Sequence, residues 1–524
     1  MGLSCQPTPE DEAVCAVCGV TASQRCGRCH VTHYCNREHQ RQHWQQHKKL
    51  CNPYVVAESS TLGRHILASR DLQPGEIILK DPPLVLGPRQ VTVAVCVGCN
   101  SPVDGTSQCP LCGWPMCSPE CSLVERHLPE CQYTQQNRRS KVVITEFFVL
   151  NAMYECITPL RCLALRKDAK RWQTLMAMES HIEERKQSKA TDLDKSNVID
   201  FIRGYLKYND FNYEDLYRIC GILEVNGFEI PGPNLVGLYG KACLLEHSCV
   251  ANSTRTFDAE MNVIVRAAVA IKKGDHISTS YTDPMWGTAS RQQHLTTTKY
   301  FACRCVRCSD PTELGTHFGS LKCSQCGGLI PPNLTPDSNW SCPSCEAIIP
   351  HADAEEILRV WGTKLTSLRG NISESEHFLE LSKEILAENH HYRVDVKLAL
   401  VQLLGAQIDS SSKSDAEKLL KRKIQLGKES IDIIDALLPG LARLRGMVQF
   451  EVGTSFFELY KMQDKQHRSS PQVLPLLQEA CTRLQDAHTI LAMESPLQEE
   501  YKMARQAAAL LTMIKQAFKK CKRK

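Results

Sequence analysis

The sequence predicts an α+β, multidomain protein in which several small units are built around zinc ions. Three observations predict this class. The cysteines fall into clusters with metal-ligand spacing, short alternating apolar segments occupy the middle of the chain, and amphipathic helical patterns fill its last third. Of the 28 cysteines, 21 belong to four clusters. The 524 residues are enough for about three to four domains.

The first cluster contains eight ligands, which imply two ions because structural zinc takes four Cys or His ligands. From Cys35 onward the ligands have helical spacing. His39 and His47 would lie roughly 12 Å apart at a rise of 1.5 Å per residue, too far to share one ion. We therefore predict one zinc at Cys15, Cys18, Cys35 and His39, and another at Cys26, Cys29, His47 and Cys51.

The remaining clusters follow related patterns. The second consists of Cys96, Cys99, Cys109, Cys112, Cys117, Cys121, His127 and Cys131. Pro129 predicts a bend before its last ligand, because proline interrupts a helix. The third consists of Cys303, Cys305 and Cys308, with Cys249 as the candidate fourth ligand, and the fourth, a zinc ribbon by its spacing, of Cys323, Cys326, Cys342 and Cys345. Disulfides are the alternative, but CxxC pairs in an intracellular chain of this size more often hold metal. The sequence thus predicts six zinc ions in closed, structural sites.

Charge and hydropathy bear on the partners. The formal net charge is +4, but six zinc ions bound by 21 thiolates would make the loaded protein acidic. A general nucleic-acid-binding surface is therefore not supported. No apolar run approaches the ~18 residues of a membrane span, and Met1–Glu10 lacks the apolar core of a signal peptide. We expect a reducing location, in cytoplasm and nucleus, and no membrane association.

Periodicity places these clusters among secondary-structure elements. A strand-rich stretch, 63–86, lies between the first two clusters, and residues 140–222 are predicted to be helical, including Val142–Tyr154, Ile199–Tyr205 and Leu216–Leu223. Short strands return from Val236, including Ile277–Tyr281. After about Ala352 the chain is predicted to be a repeat-like array of helices, among them Ala354–Leu368, Glu376–Ala387, Ser414–Leu438 and Leu474–Ala492.

Four separated segments have the residues of one site and are expected to meet. They are Gly63-Arg64-His65, Asn226-Gly227-Phe228, Leu244 to Cys249, and Ile277 to Asp283 followed by the third cluster. Their order and spacing resemble SET-domain proteins of the SMYD type, in which a MYND zinc finger is inserted into the SET domain. The family core G-L-Y…L-L-N-H-S-C-x-x-N corresponds to Gly237-Leu238-Tyr239, Leu244 to Cys249 and Asn252. The family motif G-E-E-L-x-x-x-Y-x-D corresponds to Gly274 to Ile277, Tyr281 and Asp283.

The resemblance runs from about Ser60 to Cys308, and the extra finger and ribbon look like the arthropod SmydA branch. It implies a SET fold and the following organisation. An N-terminal MYND-type finger (1–56) precedes the first part of SET (57–90), an inserted MYND-like finger (91–131) and a helical insert (132–230). The SET core (231–283), a post-SET zinc segment (284–310), a zinc ribbon (311–350) and a helical TPR-like domain (351–524) follow.

The function implied by this resemblance is S-adenosylmethionine-dependent methylation of lysines in histone or non-histone proteins, a role in chromatin regulation. Tyr281 is the implied catalytic residue, because a tyrosine hydroxyl can orient the acceptor amine and help it shed a proton. In the family, the post-SET cysteines share their zinc with the cysteine of N-H-S-C, here Cys249. The implied cofactor-binding residues are Gly63, Arg64, His65, Asn226, Leu245, Glu246, His247, Tyr281 and Phe301.

Three positions depart from the family pattern. Glu246 replaces the asparagine of N-H-S-C. His65 places a bulky ring where the family has a second glycine, and we expect it to crowd that turn. Lys299 replaces an aromatic residue of the acceptor channel, unless Tyr300 next to it takes that place through a local shift. These departures leave a second function open, that of a catalytically weak or inactive scaffold or corepressor adapter. The resemblance implies a protein substrate with a target lysine, and proline-rich peptide or corepressor partners for the fingers. We expect a monomer.

Overall fold

The computed structural model describes residues 14–27, 32–186, 188–232, 234–408, 411–463, 470 and 473–521. It confirms the mixed, multidomain α+β class. Strands dominate residues 54–88 and 228–279, and helices dominate residues 351–521. No helix in the ranges just given is long and apolar enough to cross a membrane.

The N-terminal unit is a two-stranded ribbon followed by one helix. Its elements are β1 (Gln24–Arg25), β2 (His33–Tyr34) and α1 (Arg37–Cys51). The helix begins after Cys35, because the side chain of Asn36 accepts a hydrogen bond from the His39 N–H and caps the first turn. Cys35 therefore lies in the turn before the helix, whereas His39, His47 and Cys51 lie on it.

The first part of the β-fold starts directly after this finger. Its strands are β3 (Tyr54–Ser59), β4 (Gly63–Ala68), β5 (Ile77–Asp81) and β6 (Pro83–Pro88). Strands β3 and β4 form an antiparallel hairpin whose register runs from Tyr54 opposite Ala68 to Ser59 opposite Gly63. Gly63, at the tight end of this hairpin, has φ +61°, a conformation that favours glycine.

The inserted finger and seven helices separate β6 from the rest of the fold. The helices are α2 (Leu128–Tyr133), α3 (Ile157–Ala164), α4 (Ala169–Met176), α5 (Ile182–Arg185), α6 (Lys189–Leu193), α7 (Asp200–Gly204) and α8 (Tyr213–Asn226). The predicted bend at Pro129 is confirmed, because this proline lies in the first turn of a new helix, α2, where its missing N–H has no cost.

The predicted helix Val142–Tyr154 is wrong. Residues 141–149 contain no helical turn, and only a 3₁₀ turn, Ala152–Cys156, precedes α3. The reason is that the inserted finger binds the backbone of this segment: the Val142 N–H donates to the Cys112 carbonyl at 2.7 Å, and the Asn151 N–H donates to the Thr92 carbonyl at 2.8 Å. Val142 of this segment is fully buried in the core that contains Cys109, Cys112 and Trp114 of the finger.

The second part of the β-fold forms two small sheets with the first part and a third sheet from its own strands. Its elements are β7 (Phe228–Ile230), β8 (Leu235–Tyr239), β9 (Glu246–His247), β10 (Ser253–Phe257), β11 (Val263–Ala267), β12 (Ser278–Thr279) and α9 (Thr288–Thr298). The strand orders are β10-β11-β5, β6-β8-β7 and β12-β9. Val263, Val265 and Ala267 alternate toward the core along β11, as predicted.

The pairing of β9 with β12 is parallel and brings two distant motifs side by side. Ser278 lies opposite Glu246, and Thr279 lies opposite His247. Asn252 holds the crossing in place: its amide nitrogen donates to the His276 carbonyl at 2.7 Å, and its amide oxygen accepts from the Ser278 N–H at 2.9 Å. Tyr281 follows two residues after this short strand.

The zinc ribbon and the C-terminal helices complete the chain. The ribbon strands are β13 (Leu321–Lys322), β14 (Leu329–Ile330), β15 (Trp340–Ser341) and β16 (Ile348–Ile349). The helices are α10 (His351–Ser367), α11 (Ile372–Ser382), α12 (His391–Ile408), α13 (Lys413–Leu437), α14 (Arg443–Met462), α15 (Leu474–Leu491) and α16 (Glu499–Cys521). The four helices named from the sequence are confirmed, with shifts of a few residues at their ends. Trp340 of the ribbon packs in one core with Trp361 and Phe378 of these helices.

The helical array is joined closely to the β-fold at Gly440. This glycine has φ +80°, and a Cβ there would lie 2.0 Å from the Ala268 carbonyl oxygen. The Leu441 N–H donates to the same carbonyl at 3.0 Å. A larger residue would separate the two parts, so the joint requires glycine.

Candidate zinc centres and active site

The structure brings the cysteine and histidine ligands together in sets of four. Within each set, one ligand atom per residue lies within 4.8 Å of all the others. The sets are Cys15, Cys18, Cys35 and His39; Cys96, Cys99, Cys117 and Cys121; Cys109, Cys112, His127 and Cys131; Cys249, Cys303, Cys305 and Cys308; and Cys323, Cys326, Cys342 and Cys345.

The sulfur separations identify these sets as metal sites. The Sγ atoms of Cys18 and Cys35 are 3.6 Å apart, and those of Cys249 and Cys308 are 3.5 Å apart. A tetrahedron with zinc–sulfur bonds of about 2.3 Å has edges of roughly 3.8 Å, whereas a disulfide bond measures about 2.05 Å. Four closed ligands without an open position are typical of structural zinc.

The second site of the N-terminal finger is described in part. Cys29 lies outside the described residues. The Sγ atoms of Cys26 and Cys51 are 3.7 Å apart, and the buried His47 has its Nδ1 at 3.2 Å from the Thr32 hydroxyl. The Thr32 hydroxyl orients the ring of His47, as a polar group behind a metal-binding histidine does.

In the inserted finger, His127 is held by a buried carboxylate. Its Nε2 lies 3.3 Å from the Cys112 sulfur, and its Nδ1 lies 2.9 Å from Glu130 Oε1. Arg161 of α3 donates to Glu130 at 3.0 Å and 2.5 Å, and to the Leu86 and Val97 carbonyls. A carboxylate behind a metal-binding histidine fixes the ring orientation. Arg161 thereby ties the finger to strand β6.

The third zinc set joins Cys249, which follows β9, to the post-SET cysteines. Cys249 is fully buried, and its sulfur lies within 4.0 Å of those of Cys303 and Cys308. Arg291 of α9, also fully buried, donates from Nε to the Cys249 sulfur at 3.3 Å. A guanidinium so placed offsets part of the negative charge of four thiolates.

This zinc set is linked directly to Tyr281 through His247. The Tyr281 N–H donates to His247 Nδ1 at 3.0 Å, so the remaining ring proton resides on Nε2, which points at the Cys249 sulfur at 3.3 Å. The Tyr281 hydroxyl donates to the Leu245 carbonyl. Burial raises the pKa of Tyr281 above its ordinary value, so the phenol is neutral at physiological pH. The arrangement fixes both ends of the tyrosine.

His65 does not crowd the glycine turn, contrary to the expectation from the sequence. Its ring is 5% exposed and stacks on His276 with centroids 4.9 Å apart and planes 3° from parallel. Its Nδ1 lies 3.0 Å from the Gly63 carbonyl oxygen. A Cβ built on Gly63 would meet no atom within 4 Å, so the backbone here is open to approach. Glu246 accepts from His276 Nδ1 at 2.8 Å and remains partly exposed.

The other predicted cofactor-binding residues lie on the elements around Tyr281, His247 and the third zinc set. The Asn226 side-chain nitrogen donates to the Glu179 and Ile222 carbonyls at 2.7 Å and 3.0 Å, which leaves its amide oxygen as an acceptor. Arg64 donates to the Ala177 carbonyl at 2.5 Å. Phe301, 36% exposed, has its ring 5.9 Å from that of His247. Leu245 is buried.

Lys299 lies beside Tyr281, at the position where the family resemblance implies an aromatic residue. Its Nζ donates to the Glu224 carbonyl at 2.9 Å and to the Val225 carbonyl at 2.7 Å, and it is 6.0 Å from the centroid of the Tyr281 ring. Tyr300 does not take its place, since the Tyr300 ring packs against His181 at 5.0 Å. Burial, followed by the charge of Arg255, lowers the pKa of Lys299 to about 8.

Comparisons with known proteins place these features in a family context. Residues 15–51 match the MYND finger family model. The SET domain-containing protein SmydA-8, isoform A, of Drosophila melanogaster is 28% identical over 372 residues, which cover 66% of this chain and 77% of that protein. The N-lysine methyltransferase SMYD2-B of Danio rerio is 26% identical over 269 residues, which cover 47% of this chain and 58% of that protein.

A solved structure described as the SET domain of LSMT bound to lysine and AdoHcy aligns with 92% of each chain. The sequence identity is 11% and the TM-score is 0.30, a likeness too weak to indicate a shared site.

The ligand sets predict the zinc content and its dependence on single cysteines. The full chain should hold six zinc ions, and Cys303→Ser should hold five and unfold at a lower temperature, because the third set loses a ligand. Cys481→Ser, which changes a cysteine outside the four clusters, should keep all six. Elemental analysis and thermal unfolding of freshly purified protein measure both quantities. Two or fewer zinc ions in the unaltered protein would contradict the assignment.

Proposed function

We infer that the chain, which belongs to the SMYD-type SET and MYND domain family, is a protein-lysine N-methyltransferase that uses S-adenosylmethionine. The observation that carries this proposal is the placement of Tyr281. Its backbone is bound to His247, its hydroxyl is bound to the Leu245 carbonyl, and both partners lie on the segment that the third zinc set anchors. The relatives named as lysine methyltransferases support the same activity.

The residues around Tyr281 and His247 suit a methyl donor that carries an ammonium group and an extended, partly apolar body. Gly63 leaves its backbone open, and Glu246 and Asn226 present oxygen acceptors appropriate for an ammonium group. S-adenosylmethionine, when bound, supplies an electrophilic methyl group on a sulfonium. Glu246 in place of asparagine strengthens the electrostatic attraction for the donor's ammonium, so this departure is compatible with binding.

The work of the chain is to orient the acceptor amine. The Tyr281 hydroxyl uses its proton on the Leu245 carbonyl, so its oxygen lone pairs are free to accept from the amine of an incoming lysine. A neutral, fixed phenol and nearby carbonyls align the nitrogen lone pair with the methyl group, and alignment of this kind lowers the barrier to an in-line displacement. The substrate class is a protein with an accessible lysine, including histones.

We also propose that the fingers recruit proline-rich partners, and that the protein acts in cytoplasm and nucleus. Support comes from the apolar side chains that the inserted finger and its covering segment leave exposed, which include Leu111, Val143 and Phe148 at 61%, 65% and 83% exposure. Exposed apolar groups suit an extended proline-rich segment. A labelled proline-rich peptide should bind the full chain saturably and lose affinity for Val143→Ser/Phe148→Ser. Equal binding to both would contradict recruitment by this finger.

The catalytic role of Tyr281 has a direct test. Tyr281→Phe should lower the rate of methyl transfer to a lysine-rich protein panel by about 100-fold or more while leaving donor affinity nearly unchanged, because the hydroxyl acts on the amine and the ring keeps its packing. Tyr154→Phe is the matched control, since this buried phenol also donates to one backbone carbonyl, that of Val95, far along the chain. Its activity should equal that of the unaltered protein. Equal rates for all three proteins would remove Tyr281 from catalysis.

A further inference from the structure

Lys299 carries a partly buried amine beside Tyr281 that the proposed reaction does not use. We propose that Lys299 is itself a methyl acceptor, so that the protein modifies its own acceptor channel. The proposal rests on the proposed methyltransferase function, and it adds a modification site within the chain. Its basis is the position of one side chain, whose Nζ is held by two backbone carbonyls 6.0 Å from the centroid of the Tyr281 ring.

The two carbonyls orient the nitrogen for reaction. A neutral primary amine has two N–H donors and one lone pair. The Glu224 and Val225 carbonyls, at 2.9 Å and 2.7 Å, accept both donors and leave the lone pair free. These carbonyls belong to the last turn of α8, whose dipole also attracts a positive charge as it develops on nitrogen.

The backbone that carries Lys299 is fixed on both sides. The Lys299 N–H donates to the Leu295 carbonyl at 2.9 Å and ends α9. Four residues later, Cys303 is one of the ligands of the third zinc set. Gln292 of α9 donates to the Cys303 carbonyl at 2.6 Å and accepts from the Cys303 N–H at 2.9 Å. An acceptor tethered in this way does not need to bind from solution, which removes the entropic cost of bringing two molecules together.

The charges around Lys299 favour a reactive amine. Arg255, bound to the Ser280 carbonyl at 2.9 Å, disfavours the ammonium form of Lys299. Glu229, which pairs with Arg89 at 3.0 Å, favours the ammonium form by a smaller amount. Burial acts in the same direction as Arg255 and is the largest influence, and Tyr281 is neutral. The uncharged fraction of Lys299 near neutral pH is therefore larger than that of an ordinary lysine, whose pKa is about 10.4.

The transfer is a single displacement. The Lys299 lone pair forms a bond to the methyl carbon while the carbon–sulfur bond of the sulfonium donor breaks, and the sulfur keeps that electron pair as a neutral thioether. The nitrogen becomes positively charged and releases a proton to water when it returns to neutrality. A protonated monomethyl-lysine still has two N–H donors for the Glu224 and Val225 carbonyls, whereas a dimethyl-lysine has one. Monomethyl-lysine is therefore the expected product.

The test uses the full zinc-loaded chain and a donor with a deuterated methyl group. Peptide mass spectrometry should find one labelled methyl on Lys299 in the unaltered protein. Lys299→Arg keeps donors for both carbonyls and is expected to fold, and it should lack the label. Label on other lysines or on an added protein, but not on Lys299, would overturn this inference while sustaining the proposed function. No label anywhere would overturn both.

A second measurement needs no donor. Trace acetylation of the unaltered protein across a pH series should modify Lys299 with a midpoint near pH 8, well below the value of about 10.4 for an ordinary lysine. Absence of modification at Lys299 below pH 9 would show that its amine is charged or inaccessible, and would overturn the inference whatever the donor experiment gave.

Discussion

The active-site region depends on one metal site, which joins Cys249 to Cys303, Cys305 and Cys308 across 54 residues of chain. Tetrahedral coordination with zinc–sulfur bonds of about 2.3 Å fixes these segments relative to each other. His247 lies two residues before the first ligand and accepts a hydrogen bond from the backbone of Tyr281, so the zinc set also positions the tyrosine. The parallel pairing of β9 with β12 aligns the two segments that carry His247 and Tyr281. Without the ion, nothing would hold the four thiols together, and the post-SET segment would have no fixed place beside the tyrosine.

The charge of the metal sites is compensated by arginines that the fold buries beside them. Arg291 binds the Cys249 sulfur, the Trp286 carbonyl and Glu313, and Arg307 binds Glu313 and the Pro284 carbonyl. All three side chains are at most 2% exposed. A buried charge is tolerated only when it is paired and hydrogen-bonded. This network therefore holds the loop after Tyr281 against the third zinc set, much as Arg161 and Glu130 hold the inserted finger against strand β6.

Spacing made the zinc ligands predictable, because metal coordination imposes short, regular intervals on cysteine and histidine. Spacing did not supply Cys249, which lies 54 residues before Cys303; it was predicted because the third cluster lacked a fourth ligand and because the family resemblance implied it. The helix expected at Val142–Tyr154 was wrong because apolar periodicity does not distinguish a helix packed on a core from an extended segment that covers a finger. Two features could not be predicted from the sequence: the stacking of His65 on His276 and the arginines beside the zinc ligands. Each of these contacts joins single residues from distant segments, which produce no periodic or spaced pattern.

Donor binding measured against the state of the third zinc site tests this account most directly. Calorimetric titration of S-adenosylhomocysteine should show one binding site in the unaltered chain. Cys323→Ser, which damages only the zinc ribbon, should bind with equal affinity, and Cys305→Ser should lose affinity by at least about tenfold because the post-SET segment is released. Equal affinity in all three proteins, or no binding to the fully zinc-loaded unaltered chain, would contradict the claim that this metal site assembles the methyl-transfer site.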